Sequence, residues 1–359
     1  MKHGSLTVKI KEAKKQYPIK INQDEIETSW KKEIIKPKNQ YLVISDDFVW
    51  KLYQGNFPID DKDVQVYTFP NGEEYKTLST VEGAYKKLYE MKADRNTKII
   101  ALGGGVVGDT AGFVAASFLR GIPFIQIPTT LLAQIDSSIG GKVGVNYGAK
   151  NLIGFFYQPE IVYIDSYFWN TLDERQWLNG LGEMIKYAFL IDRDFFFGVY
   201  DNKISLKKRS PFVLQKLVKT SLMFKQRIIE MDEKENNIRR VLNLGHTLGH
   251  AIETAGEYKK YLHGEAVLLG LKAVLRISKQ RQYLSNEEYE LGISLINDYL
   301  SFGLSDNISN EQLLELLKSD KKRIGKKNVW ILIKAIGEPM IADDVKEKEI
   351  LDAIDFIRE

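Results

Sequence analysis

Three of the four histidines, His246, His250 and His263, fall within the single stretch NLGHTLGHAIETAGEYKKYLHGEA, and the fourth, His3, lies near the first residue. The chain has no cysteine. A transition-metal site would therefore have to be assembled from imidazole and carboxylate, the donor set that suits a catalytic divalent ion such as Zn2+ with one open position. His246 and His250 stand one helical turn apart, a spacing that fits two ligands on one face and fits two polar residues of an ordinary helix equally well. Gly245, Gly249 and Gly264 flank them. Glycine costs a helix about 1 kcal/mol against alanine, so these positions mark a close approach of backbone or ligand.

A second group follows an apolar run. Gly103-Gly104-Gly105-Val106-Val107-Gly108-Asp109 closes the strand-like TKIIALG, opens a helical pattern and satisfies GxGxxG. Glycines there let the backbone approach a phosphate, and a helix N-terminus offers free N–H groups to its charge. Two details depart from the usual dinucleotide fingerprint: the motif is not on the first strand, and no carboxylate ends a strand about 20 residues downstream. The strand-end carboxylates, Asp46 and Asp47, lie upstream. A tight strand-to-helix turn without a ligand is the competing reading.

The segment Arg120 to Gly154, RGIPFIQIPTTLLAQIDSSIGGKVGVNYGAKNLIG, places Lys142, Lys150, Asn146, Asn151 and Asp136 among glycines and small hydroxyl residues. Lysine supplies a point charge for phosphate, the Gly140-Gly141 pair gives access to main chain, and Asp136 can orient a lysine or accept from hydroxyls. A polar, phosphorylated ligand fits this composition.

The elements that must hold these residues divide the chain. YLVISDD, VQVYTFP, TKIIALGGG, FIQIP and IVYID read as strands, with helical patterns LSTVEGAYKKLYEMKAD and GDTAGFVAASFLR between some of them, an alternation that predicts a mainly parallel α/β sheet. From about Thr171 the pattern turns helical through ERQWLNGLGEMIKYAFLI, SPFVLQKLVKTSLMFKQRIIEMDEKE, HTLGHAIETAG, GEAVLLGLKAVLRISKQ and NEEYELGISLINDYLSFG, with VWILIKAIG as extended chain. The expected boundary puts 1–168 in an α/β domain and 169–359 in a mainly α-helical one.

Formal charge of +3 on 51 basic and 48 acidic residues is nearly balanced, so nothing demands nucleic acid or an anionic membrane as partner. MKHGSLTVKIKEAKK has no apolar core, so no signal peptide is expected, and no apolar run approaches the roughly 20 residues of a membrane span. A cytoplasmic location is the expectation, with which the lack of cysteine is compatible.

Read in order, GGGVVGDTAGFVAASFLRGI, IPTTLLAQIDSSIGGKVGVN, KNLIGFFYQP, GLGEMIKYAFL, LNLGHTLGHAIE, LHGEAV and DKKRIGKKN resemble the motifs of the 3-dehydroquinate synthases, within the sugar-phosphate cyclase group. They span most of residues 40 to 340. The resemblance implies a Rossmann-like NAD-binding α/β domain followed by a mainly helical metal-binding domain, with the active site in the cleft between them. It implies Glu183, His246 and His263 as ligands of Zn2+ or Co2+, leaving His250 beside the metal to relay protons. It assigns NAD to Asp46, Glu73, Lys76, Gly104, Gly105, Val106, Asp109, Thr129, Thr130, Phe168 and Thr171, with Lys142 and Lys150 touching it as well. Substrate groups would meet Asp136, Lys142, Asn151, Lys186, Arg239, Asn243, His250 and one of Lys321 and Lys322. Arg120 would reach the phosphate of a neighbouring subunit in a homodimer.

The implied reaction turns 3-deoxy-D-arabino-heptulosonate 7-phosphate, a small sugar phosphate, into 3-dehydroquinate and phosphate: transient oxidation by NAD, elimination of phosphate, re-reduction and intramolecular aldol closure. Such an enzyme is a carbon-oxygen lyase of the shikimate pathway that uses NAD catalytically. The alternatives are a sister cyclase acting on another sugar phosphate and an NAD- and metal-dependent polyol dehydrogenase. Two departures stand out: VNYGAKN is one residue shorter than the usual loop, and Gly182 stands where alanine is common. The second is expected to add room ahead of Glu183.

Overall fold

The computed structural model describes residues 4–10, 15–22, 34–36, 39–56, 63–324 and 329–358, the side chains of 4, 15 and 319–324 excepted. His3 and the side chains of Lys321 and Lys322 lie outside the described residues. The chain divides into two compact units, Met1–Asp173 and Glu174–Glu359.

Unit one is built on a seven-stranded sheet. Its strands are β1 (Gly4–Ile10), β2 (Lys15–Asn22), β3 (Tyr41–Asp46), β4 (Val64–Phe69), β5 (Lys98–Gly103), β6 (Phe124–Pro128) and β9 (Ile161–Asp165), with the short hairpin β7 (Lys142–Val145) and β8 (Ile153–Phe156) apart from it. The spatial order is β1-β2-β9-β6-β5-β3-β4, parallel throughout except for β1 at the edge. The run YLVISD of β3 is buried along its whole length, as a strand covered on both faces must be. Alternate residues go to opposite layers. Leu42 and Ile44 join Val107, Ala111 and Val114 of the Gly105–Ser117 helix, whereas Tyr41 and Val43 join Tyr53 and Phe168.

This order creates a switch point. The chain leaves β3 toward β4 and leaves β5 toward β6, in opposite directions, so the carboxyl ends of β3 and β5 flank a crevice of the kind that takes ligands in open α/β sheets. Asp46 ends one of these strands and Gly103 the other, side by side in register, since Ser45 pairs with Leu102.

Unit two is a helical bundle around Glu174–Leu190 and His263–Gln280, with Pro211–Met231, His246–Ala255, Asn286–Asn297, Asn310–Ile324 and Glu347–Phe356 among the elements around them and the hairpin β10 (Trp330–Ala335) and β11 (Glu338–Ala342) beside them. From Gly264 to Leu275 the His263–Gln280 helix is buried without interruption. Small residues make that possible. A Cβ on Gly270 would meet the Gly245 carbonyl oxygen at 2.0 Å, and one on Gly264 would meet that of Asn179 at 2.0 Å, so these helices touch main chain to main chain. Among the described residues no helix is long and apolar enough to cross a membrane.

Candidate functional site

In unit two, Glu183, His246 and His263 come together from three helices. His246 and His263 each begin a helix, and Glu183 sits in the third, its side chain 0% exposed. Glu183 Oε1 lies 3.4 Å from His246 Nε2 and 3.2 Å from His263 Nε2. A tetrahedral site with bonds of about 2.0–2.1 Å has ligand-to-ligand edges of about 3.3–3.4 Å, so both separations suit donors to one divalent ion. The far side of each ring is also engaged: His246 Nδ1 faces the Leu244 carbonyl at 3.0 Å, and His263 Nδ1 faces Glu253 Oε2 at 3.2 Å.

Electrostatics separate the two rings. Burial, reinforced by the Lys186 cation, pushes His246 down to about 3, so it is a neutral donor at ordinary pH. Burial also opposes charge on His263, but hydrogen bonds to Glu183 and Glu253 outweigh it and lift the ring to about 9. Two buried carboxylates converge on this one imidazole, and such a pair calls for a cation between them. Lys186, 1% exposed, forms an ion pair with the other Glu183 oxygen.

His250 is exposed, its ring centroid 5.3 Å from that of His246 and 6.2 Å from that of His263. A second group, His250, Glu253 and His263, could also gather round an ion. Arg239 is buried and donates to the Glu233 carbonyl, and Asn243 donates to Glu235 Oε1 at 2.6 Å. The backbone of the helix bearing Lys321 and Lys322 is in place.

In unit one the structure gathers Glu73, Lys76, Asp109 and Asn151. Lys76, 3% exposed, donates to Asp109 Oδ2 at 2.6 Å and to Asn151 Oδ1 at 2.5 Å. Asn146 donates to Glu73 Oε1 at 2.9 Å and accepts from the Asn151 N–H at 2.8 Å, which fastens the β7–β8 turn to the Glu73–Tyr75 turn. Lys150 acts electrostatically on Asp109, whose carboxyl burial raises against the pull of Lys76. Asp46 is raised by burial too, although its side chain caps the next helix by accepting from Val49 N–H at 2.9 Å.

The glycine turn has packing reasons of its own. Added Cβ atoms would strike Val107 at 2.5 Å from Gly103 and the Gln126 side chain at 2.7 Å from Gly108. Gly104, the N-cap of the helix that holds Gly105, Val106 and Asp109, lies against Thr130, and Thr129 N–H donates to the Gly103 carbonyl at 3.0 Å. Asp136 sits in a π-helical turn, Ala133–Ser137, a rare geometry often found at functional sites. Lys142 opens β7 with its side chain exposed. Phe168 is fully buried, its carbonyl accepting from the exposed Thr171 hydroxyl at 3.2 Å.

Two expectations change. The helical pattern through Arg120 stops at Ser117: Leu119, Arg120 and Gly121 have φ of 49°, 66° and 122°, a left-handed corner that leaves Arg120 exposed. Gly182 adds no room, because a Cβ there would meet the Gly264 main chain at 2.7–2.9 Å.

A family model described as 3-dehydroquinate synthase N-terminal matches residues 66–179, and one described as 3-dehydroquinate synthase C-terminal matches 180–323. The curated 3-dehydroquinate synthase of Thermoanaerobacter pseudethanolicus is 39% identical over 363 residues, covering 97% of this chain and 99% of its own length. The chain belongs to the 3-dehydroquinate synthase family. Among solved structures, a 2-deoxy-scyllo-inosose synthase complexed with carbaglucose-6-phosphate, NAD+ and Co2+ superposes with a TM-score of 0.86 at 28% identity, over 98% of this chain and 99% of that one. The 2-epi-5-epi-valiolone synthase of Streptomyces hygroscopicus, solved with NAD+ and Zn2+, shares the fold at a TM-score of 0.87 and 24% identity, over 95% and 96%.

In this member of the 3-dehydroquinate synthase family, sequence reading passed over Glu253 and Glu235. Glu253 had a signal: it follows His250 by three residues on one helix, so the two share a face. Glu235 had none, since its partner Asn243 is reached through an irregular turn and a 3₁₀ segment.

Proposed function

We propose that the protein is a 3-dehydroquinate synthase that converts 3-deoxy-D-arabino-heptulosonate 7-phosphate to 3-dehydroquinate and phosphate. The observation that carries this reading is the convergence of Glu183, His246 and His263 at tetrahedral-edge spacing, in a chain 39% identical to a curated synthase over 97% of its length. These three residues would hold Zn2+ or Co2+. NAD would lie at the β3/β5 switch point, between Asp46 and the Gly104–Val106 turn, with Glu73, Lys76, Asp109, Thr129, Thr130, Lys142, Lys150, Thr171 and the main chain of Phe168 around it. Bound there, the nicotinamide accepts and returns a hydride while the ion makes a substrate hydroxyl more acidic.

The chain's own groups do the rest. Lys142, Lys186, Arg239, Asn151, Asn243 and one of Lys321 and Lys322 supply donors for phosphate, carboxylate and hydroxyls, and Asp136 orients Lys142 or accepts from a hydroxyl. His250, exposed beside His246, takes and returns a proton through its ring nitrogen. Holding the ring-opened product in one orientation favours aldol closure. The redox change is internal, so NADH does not accumulate.

The reading includes a cytoplasmic homodimer. Tyr147, Leu152, Phe155 and Phe156 expose between 44% and 60% of their surface in and beside the β7–β8 turn, apolar side chains that a partner subunit would cover. Tyr157, the next residue, packs its hydroxyl against Gly121, which brings the neighbouring Arg120 beside this segment; in the proposed dimer Arg120 would serve the partner's phosphate site.

The test is to incubate the protein with the heptulosonate phosphate, Zn2+ and substoichiometric NAD while following phosphate, dehydroquinate and NADH absorbance. Equal phosphate and dehydroquinate over many turnovers, without NADH build-up, is the expected result. Turnover only of another sugar phosphate would make the protein a sister cyclase, and stoichiometric NADH from polyols would make it a dehydrogenase.

A further inference from the structure

The two groups that could gather round an ion, Glu183 with His246 and His263, and His250 with Glu253 and His263, share one imidazole. His263 serves both only if both ring nitrogens are stripped of protons, which makes it an imidazolate. A neutral ring offers one lone pair, and the partner of the other nitrogen decides which. Here that partner is Glu253, whose Oε2 lies 3.2 Å from Nδ1, while Nε2 lies 3.2 Å from Glu183 Oε1. His246 repeats the arrangement with a main-chain partner, the Leu244 carbonyl, on Nδ1. Both rings therefore turn Nε2 toward the same carboxylate oxygen.

Glu253 is also delivered rigidly. It is 3% exposed and rides on the His246–Ala255 helix, where a Cβ on Gly249 would meet the Ala266 carbonyl of the His263–Gln280 helix at 3.1 Å. The His263 end is fixed independently: Asn179 Oδ1 accepts from Gly264 N–H at 2.6 Å, and Arg175 clasps Glu265 with two bonds of 2.8 Å.

We propose that Glu253 is a positioning residue of the Glu183–His246–His263 centre: its carboxylate accepts from His263 Nδ1–H, fixes the tautomer that presents Nε2, and makes that nitrogen a stronger donor. Glu253 is then not a ligand of a second ion. This inference rests on the reading of that centre as a metal site under Proposed function.

The test titrates Co2+ into metal-stripped wild type, Glu253→Gln and Glu183→Gln, following visible absorption and calorimetry without NAD or substrate. Expected are one tight ion per wild-type chain, none in Glu183→Gln, and one in Glu253→Gln held about 10–100-fold more weakly with a shifted absorption band. An unchanged melting temperature of metal-free Glu253→Gln shows that the loss is one of positioning. Histidine nitrogen NMR of the Zn2+-loaded wild type checks the same assignment without a variant, and a proton on His263 Nε2 would overturn it. Unchanged affinity in Glu253→Gln, or a second tight wild-type ion that this variant loses, also overturns it. A wild type that binds no tight ion would sink the metal-site reading itself, and the inference with it.

Discussion

Replacing Gly264 by alanine sets two effects of opposite sign against each other. Helix propensity favours alanine by at most about 1 kcal/mol, and Gly264 is not among the residues with positive φ, so the backbone accepts a side chain there. Space does not. The new Cβ would lie 2.0 Å from the Asn179 carbonyl oxygen, where ordinary contact begins at 3.4 Å, so the two segments must part by the difference, 1.4 Å. Overpacking on that scale costs about 1–3 kcal/mol, so the net effect is a loss of roughly 0–2 kcal/mol of stability. The geometric effect is larger. Asn179 and Glu183 share one helix, and His263 precedes Gly264, so the same movement opens the 3.2 Å gap between Glu183 and His263 well past a tetrahedral edge. A misplacement near 1 Å is worth on the order of 100-fold in a catalytic site. Metal affinity by calorimetry and stability by urea unfolding, measured together, should show a small stability loss with a large loss of affinity. A variant more stable than wild type that binds metal as tightly would refute the close main-chain contact and the positional argument built on it.

Lys76→Met leaves Asp109 in place without the cation it contacts at 2.6 Å. Because Asp109 keeps 18% of its side-chain surface, the expected loss lies between surface and buried limits, about 1–4 kcal/mol, read from the urea midpoint near neutral pH. Glu349 and Asp344 are held below their ordinary values of 4.5 and 3.8 first by hydrogen bonds to Arg281. A depressed carboxyl contributes stability above its unfolded value and loses it as pH falls through the folded one. Arg281→Met should therefore have a lower urea midpoint than wild type at pH 6–7, with the gap narrowing below about pH 4.5 and closing only under the depressed folded values, and a gap unchanged across that acid range would contradict the assignment.

The parallel sheet could be read from the chain because β3 and β5 are continuous apolar runs ending in turn residues, and the bundle because its helices carry long periodic patterns. β1 and β2 went unread, although they are seven and eight residues long, because lysines and other polar residues are interleaved with their buried Val8, Ile10, Tyr17, Ile19 and Ile21. The strands of the β7–β8 hairpin went unread inside the polar segment: they have four residues each, and β8 points apolar residues outward, the reverse of the usual signal. For the candidate metal centre, spacing left His246 and His250 equivalent. What separates them is Glu183, more than sixty residues earlier, which lies 3.4 Å from His246 and 3.2 Å from His263. Helical periodicity carries no information across such a gap. The partners of the ring nitrogens, Leu244 and Glu253, depend on how each helix begins and turns.

The cluster around Lys76 is already tied together by its own neighbours: Asp109 and Asn151 on the lysine, Glu73 and the Asn151 N–H on Asn146. A guest that takes one of these bonds displaces a resident partner in exchange, with little net free energy gained per bond, whereas Lys76 carries a third N–H beyond the two bonds it makes here. Loss of the Asn146 bonds would be felt in the Asn146–Asn151 turn, where amide exchange becomes a gauge of occupancy. A cofactor that exchanged the Asn146 or Asn151 bonds for its own would unbutton the hairpin on binding and refasten it on leaving.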